Sequence, residues 1–410
     1  MNLHKYYSGL NGTTSVLLAL AIIMFAGFLM TRLTKLLKLP NVTGYIIAGI
    51  LIGPSVFGLV SKGFISNMGF VSDIALAFIA FDVGKFFKKE MLKKTSCRIF
   101  LITFFEALLS GALVTLLLKI VFKLPLSFSF LLGAIATATS PASIMMTINQ
   151  YHARGDFVNT LLQVITLNNV ICLFVFSITT SIITANSGTL NVFTILMPII
   201  YNFIVIIIGF LCGLLLGSLL RHRSKDNRLI IAVAMLLGLA GICTIFNISP
   251  LLSCMVFGAT YINFKKDNEL YKQLNNFTPP IMSLFFVLSG MSLNFSALKT
   301  AGLIGISFFL LRFLGKYIGA YLGSMIARKD QKTRKYLGLA LLPQAGVAIG
   351  LAFLGVRMLP EGLGNMLLTI VLSSSVLFEL IGPACAKMSL FCAGSIPKEC
   401  KKPEEVKELI

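Results

Sequence analysis

Two adjacent amides, Asn168 and Asn169, lie in the middle of an apolar run, 158–183, that holds no ionisable side chain other than Cys172. An amide oxygen ligates a cation but takes up no proton. Chemistry at this pair can bind and cannot titrate, so any proton taken up at this depth must be held by other residues. Those are few. Arg312 and Lys316, one helical turn apart, fall inside another apolar run; Glu106 and Glu379 lie deep in two more, and Asp82 lies near the end of a further one. Charges at such depth are costly and by default are functional or paired. Arginine stays charged, whereas lysine can also release its proton. Glu106 and Glu379 have two readings each: a structural ion pair that holds helices together, or an acid that takes up and releases a proton. Asp82 lines a funnel or simply pairs with Lys85 at the surface. Asp73 reads as a solvated charge.

Two apolar runs are interrupted by polar and imino residues. One contains Thr137-Ala138-Thr139-Ser140-Pro141, the other Pro343-Gln344-Ala345-Gly346. Proline removes a backbone donor and blocks the carbonyl four residues earlier, while Thr, Ser and Gln bring polar groups to mid-depth. Backbone opened at that depth is tolerated only where protein buries it or where it lines a polar cavity. A matched pair of interrupted spans in two halves marks a carrier site at the bilayer midplane. The alternative is a pair of ordinary proline kinks.

The elements that hold these residues are membrane helices. Of 410 residues, 57% are hydrophobic and 12% charged, and the mean hydropathy is +0.90, far from a soluble composition. At about twenty apolar residues per crossing, the runs are 13–33, 41–60, 67–85, 97–118, 127–148, 158–183, 190–219, 228–247, 250–264, 277–294, 300–326, 334–356 and 364–386. That makes about thirteen spans in one membrane domain, 1–396, with a short cytoplasmic tail, 397–410, read as a solvated anchor. The two interruptions fall in the fifth and twelfth spans, seven apart. An odd separation sets them antiparallel, as inverted repeats require.

The net charge of +20 sits in short loops, which excludes nucleic acid as a partner. With the amino terminus outside, about 27 Lys and Arg fall on the inner side and about 6 on the outer, a strong positive-inside bias. The first run lacks a small-residue cleavage site and reads as a retained span. The eight cysteines form no CxxC and indicate neither disulfides nor zinc. No nucleophile–base set is visible, so neither an enzyme nor a cofactor is expected. His4, His152 and His222 lie in loops; His152, beside the interrupted fifth span, reads as a solvated loop histidine or a sensor of inner pH.

In order along the chain, Leu39-Pro40-Asn41-Val42-Thr43-Gly44-Tyr45 through Gly53-Pro54, the Thr137–Pro141 break, the pair at 168–169, Phe285-Phe286-Val287-Leu288-Ser289-Gly290-Met291, Arg312 with Lys316, and Pro343-Gln344-Ala345-Gly346 resemble the bacterial branch of the monovalent cation/proton antiporter superfamily. The resemblance implies an all-α polytopic fold with two crossing broken helices. It also implies a homodimer in the bacterial cytoplasmic membrane, and an elevator-like shift of a core made of spans 4–6 and 11–13. It places Thr137, Thr139, Ser140, Asn168, Asn169, Arg312, Lys316 and Gln344 at the ion and proton site. A monovalent cation would sit at Thr139, Ser140, Asn168 and Asn169, and Arg312 would sit opposite the polar pair. Family members with Asn-Asp at the pair tend to be electroneutral. Asn169 departs from the family, because it stands where the exchanging carboxylate is usual; Glu106, Glu379 and Asp82 are the candidate replacements.

Three functions fit these residues. One is exchange of Na+, K+ or Li+ for protons. Another is transport of a small anion, with Arg312, Lys316 and helix amino termini making the site positive. The third is a non-transporting homologue acting as a sensor or partner subunit.

Overall fold

The computed structural model describes residues 12–36, 41–85, 87–89, 97–185, 192–220, 225–245, 250–265, 267–293 and 295–396. Leu39-Pro40, the 247–249 joint and the tail from 397 lie outside them. Among the described residues the secondary structure is all α: α1 (Gly12–Leu36), α2 (Asn41–Ile52), α3 (Lys62–Asn67), α4 (Gly69–Gly84), α5 (Cys97–Ile120), α6 (Leu126–Ala136), α7 (Pro141–Gln150), α8 (Asp156–Ala185), α9 (Val192–Leu219), α10 (Lys225–Ile245), α11 (Pro250–Lys265), α12 (Glu269–Met291), α13 (Phe295–Ile326), α14 (Gln331–Ala340), α15 (Gly346–Val356) and α16 (Glu361–Cys392). Apolar runs become helices because lipid offers no partner for a backbone N–H or C=O, and a helix satisfies both within one segment. Six of them, α1, α5, α8, α10, α13 and α16, are long and apolar enough to cross a bilayer alone. With α6–α7 and α14–α15 each taken as one interrupted crossing and the short α3 set aside, the helices match the thirteen expected spans. Leu17, Phe25, Phe203 and Ile207 stand exposed on the outer faces, a surface suited to lipid and not to water.

The second span ends early. Its apolar run continues to Val60, but Gly53-Pro54 breaks the helix at Ile52, and the chain turns through Gly58 at φ 57°, a backbone region that favours glycine. The Gly58 N–H closes the turn on Gly53 O at 2.8 Å.

Packing divides the helices into two groups. Helices α1, α2, α4 and α9–α12 pack mainly on one another, as do α5–α8 with α13–α16; α15 on α4 and α16 on α2 are among the contacts between them. The second group holds both interrupted crossings. Its tightest seam is α5 on α13, where Gly315, Gly319 and Gly323 face the backbone of Ser110, Phe105–Glu106 and Ile102. Small residues at every fourth position let membrane helices approach closely. A Cβ on Gly319 would lie 2.6 Å from Phe105 O and 2.7 Å from Glu106 Cα. We expect Gly319→Leu to force α5 and α13 apart and cost about 1–3 kcal/mol, read as a lower unfolding midpoint in detergent.

Surface charges tie the ends. Asp73 does not stand free as expected: it pairs with Arg357 at 3.0 Å, which joins α4 to the loop after α15. Asp82 pairs with Lys85 at 2.7 Å. At the start of α14, Asp330 accepts from the Thr333 N–H at 3.0 Å and from its hydroxyl at 2.5 Å. Partial burial pushes this carboxyl up, but the bonds from Thr333, with the Lys329 charge, outweigh it and hold it below its ordinary value. The cap is therefore present above the usual carboxylate range and is lost as pH falls through the lowered value. Asp330→Ala should cost about 1 kcal/mol, and thermal unfolding should show that difference at neutral pH and lose it in acid.

Candidate functional site

The two breaks meet. The Ser140 N–H donates to Pro343 O at 2.8 Å, Gln344 Nε2 to Ile135 O at 3.0 Å, and the Thr139 hydroxyl to Leu341 O at 3.4 Å. Pro141 fits the first turn of α7, where no N–H is needed. The half-helices α7 and α15 run in opposite senses. The chain just after α7 meets the far end of α16, where Arg154 N–H donates to Ser395 O at 2.9 Å, whereas the short turn after α15 leads directly into its start. These places are the two ends of a 32-residue helix.

Breaking a helix leaves carbonyls without donors and concentrates negative partial charge at its carboxyl end. Two cations of α13 answer this. Arg312 is fully buried and donates from Nε to Ala136 O at 3.1 Å, from Nη2 to Ala138 O at 2.6 Å, and from Nη1 to Leu342 O at 2.9 Å. Its guanidinium lies 4.2 Å from the centre of the Phe378 ring. Lys316, also fully buried, donates to Thr137 O at 2.6 Å and Thr139 Oγ1 at 2.8 Å, and pairs with Glu106 Oε1 at 2.6 Å. A carboxylate partner was expected for both cations. Lys316 has one; Arg312 instead holds the carbonyl ends of two half-helices, which the sequence does not display as functional groups.

The three amides all turn the same way. Asn168 Nδ2 donates to Thr137 O at 3.0 Å and Thr139 Oγ1 at 2.6 Å, Asn169 Nδ2 to Ile165 O at 3.3 Å, and Gln344 Nε2 to Ile135 O. Backbone carbonyls only accept, so each contact fixes the nitrogen and leaves the oxygen on the other side. Asn168 Oδ1, Asn169 Oδ1 and Gln344 Oε1 are thus buried without a donor. Buried polar atoms nearly always find partners, and exceptions call for an explanation.

Thr137, Thr139, Asn168, Lys316 and Glu106 therefore form one bonded cluster, Arg312 and Gln344 hold the neighbouring carbonyls of the two breaks, and Asn169 bonds within its own helix. Ser140 belongs to a second group. Its hydroxyl lies 3.1 Å from that of Ser143, and Ser143 donates to both oxygens of buried Glu379, at 2.7 and 2.9 Å. Ser143 escaped the sequence reading; the signal was its place three residues after Ser140, on the same face of the helix. A cavity of about 490 Å³ lies between the packing groups, with Ser140, Ser143, Asn149, Asp82 and Lys85 in its wall. Asp82 thus lies in the cavity wall and also pairs with Lys85. His152 is exposed after α7 at φ 47°.

Antiparallel interrupted helices that touch at their breaks, with buried charges beside them, are the arrangement of membrane carrier folds. The model of the transmembrane sodium/hydrogen exchanger family matches residues 18–385, and the chain belongs to that family. The fold is that of the sodium proton antiporter MjNhaP1 from Methanocaldococcus jannaschii. Its structure at pH 8 aligns over 92% of this chain and 98% of that one, with a TM-score of 0.75 and 18% identity. A second structure of that antiporter, from electron microscopy, aligns over 96% and 100% with a TM-score of 0.72 and again 18% identity. The ammonium/H(+) antiporter subunit AmhT of Alkalihalophilus pseudofirmus is 22% identical over 284 residues, 68% of this chain and 70% of that protein.

Proposed function

We propose that the protein exchanges a monovalent cation for protons across the bacterial cytoplasmic membrane, with its amino terminus outside and its carboxyl terminus inside. The observation that carries this reading is the sign of the unpartnered groups. Asn168 Oδ1, Asn169 Oδ1 and Gln344 Oε1 are all oxygens, the ligands of hard monovalent cations. Every nitrogen of Arg312 and Lys316 already donates or pairs, to carbonyls, to Thr139 or to Glu106. An anion would need free donors, so the chemistry favours a cation over the anion reading. Na+, K+, Li+ and ammonium are the candidate cargoes; ammonium joins the set through the AmhT likeness. It also joins because the Lys316 ammonium itself sits on Thr137 O and Thr139 Oγ1.

The helices α5–α8 and α13–α16 form the moving core in this reading. The other group forms the dimer contact of a homodimer, and transport is an elevator-like shift of one against the other. The Asn169 position holds no acid, so Glu106, Glu379 or Lys316 supplies the exchanged proton.

The test is proton flux in proteoliposomes driven in turn by Na+, K+, Li+ and ammonium gradients. Exchange with any of them supports the reading. Silence with all of them points to the non-transporting homologue.

A further inference from the structure

We infer that Glu379 is the group that carries the exchanged proton, loaded from the cavity through Ser140 and Ser143, and that one proton is exchanged per monovalent cation without net charge movement. The inference rests on the antiport reading above and names the acid that the reading leaves open.

Two buried carboxylates compete for the role. Glu106 is matched: its oxygen lies 2.6 Å from the ammonium of Lys316. Glu379 is equally buried, but among the described residues its polar partner is a hydroxyl, that of Ser143. Among the described residues, the helices packed most on α16 supply it no counter-charge. Helices α2, α6, α7 and α15 bring no charged side chain, the Tyr45 phenol of α2 being their one titratable group, and α14 carries Lys332, Arg334 and Lys335 near its start, on the opposite end from the break. From α13, Arg312 lies over the ring of the neighbouring Phe378 but gives its bonds to three carbonyls, and Lys316 faces Glu106. On α16 itself, Glu361 and Lys387 lie about two to five turns away.

A buried carboxylate without a counter-ion is strongly disfavoured as a bare ion. Two features nevertheless make ionisation attainable. Ser143 donates to both oxygens, and it is the third residue of α7, so the carboxylate sits by the positive amino end of that half-helix. The group is thus placed to exist with or without its proton.

A route to it is present. While Glu379 is ionised, Ser143 spends its one hydrogen on the carboxylate, so in the 3.1 Å contact Ser140 donates to Ser143; once Glu379 is protonated both bonds reverse. Both serines line the cavity that also holds Asp82, Lys85 and Asn149. A proton arriving at Ser140 passes along two hydroxyls to Glu379, and the reverse transfer returns it to the cavity.

Charge balance gives the stoichiometry. Arg312, Lys316 and Glu106 sum to one positive charge. With Glu379 protonated and no cation bound, the core carries that one charge. With Glu379 ionised and one monovalent cation bound, it carries the same charge. With Glu379 ionised and the site empty, it carries none. If the core moves only in the two forms of equal charge, one proton crosses for each cation and nothing further moves.

The test is proton release from the detergent-purified full chain on addition of Na+, K+ or Li+, followed with a pH indicator, for wild type, Glu379→Gln, Glu379→Asp and Ser143→Ala. The expected result is release of one proton per chain in the wild type, its loss in Glu379→Gln, a shifted pH dependence in Glu379→Asp, and slower release in Ser143→Ala. Full release in Glu379→Gln, no release in the wild type, or an unchanged pH profile in Glu379→Asp would overturn the inference. The aspartate variant keeps the test decisive if glutamine prevents folding. Liposome flux separates the two ideas: flux that persists in Glu379→Gln removes Glu379 and leaves antiport standing. A silent wild type that still releases the Glu379-dependent proton removes antiport and leaves the proton site.

Discussion

Lys316→Met should be the most damaging single substitution in the core, worse than Glu106→Gln at the other end of the same pair. The order follows from what each residue leaves behind. Glu106 is fully buried and its oxygens accept no well-formed hydrogen bond, so the 2.6 Å contact with Lys316 is its one polar link among the described residues. Removing the lysine strands a carboxylate. Removing the glutamate strands an ammonium that still reaches Thr137 O and Thr139 Oγ1. Breaking a buried pair from one side costs about 3–5 kcal/mol, and the lysine variant should fall at the upper end. The double variant should recover part of the loss, because no unpaired charge is then left buried. Unfolding in detergent across the double-mutant cycle measures the coupling. Single variants within about 0.5 kcal/mol of wild type would show that the pair does not hold α5 to α13.

How much of this was legible depends on what each feature is made of. The crossings were legible because lipid makes the same demand of every residue in a run, and the interruptions because proline beside Thr, Ser and Gln is a local signal. The end of α2 at Ile52 was hidden inside an apolar run, since Gly53-Pro54 breaks a helix without changing hydropathy. Glu106 and Lys316 were each visible as buried charges, but their pairing depends on the α5–α13 seam. The Gly315, Gly319 and Gly323 stripe encodes that seam and went unread. The partners of Arg312 were out of reach for a different reason: carbonyls become ligands only once the helices that own them are broken and brought together. Ser143 was missed because an isolated helical serine more often bonds back to its own turn; its role appears only when α16 brings Glu379 against it.

The second large effect is expected from Asn169→Asp, which places a carboxylate where the chain now has an amide of almost the same shape. Asn169 is buried, donates to Ile165 O at 3.3 Å, and leaves Oδ1 unpartnered. The substitution gives up one weak bond within a helix and adds a negative charge beside Asn168, which shares Thr137 O and Thr139 Oγ1 with the Lys316 ammonium. A full charge in place of a dipole should tighten cation binding at least about tenfold, or about 1.4 kcal/mol, seen as a lower half-saturating concentration in liposome flux. The added acid also titrates. If Glu379 carries one proton per cycle, a second carboxylate adds another, and exchange that ignores an imposed membrane potential in the wild type should respond to it in the variant. A variant as indifferent to voltage as the wild type would mean that the introduced carboxylate merely takes over the proton from Glu379. A silent wild type beside an active variant would mean that the chain keeps the carrier scaffold but has lost cation coupling with the aspartate, because adding that one carboxylate would then suffice to restore it.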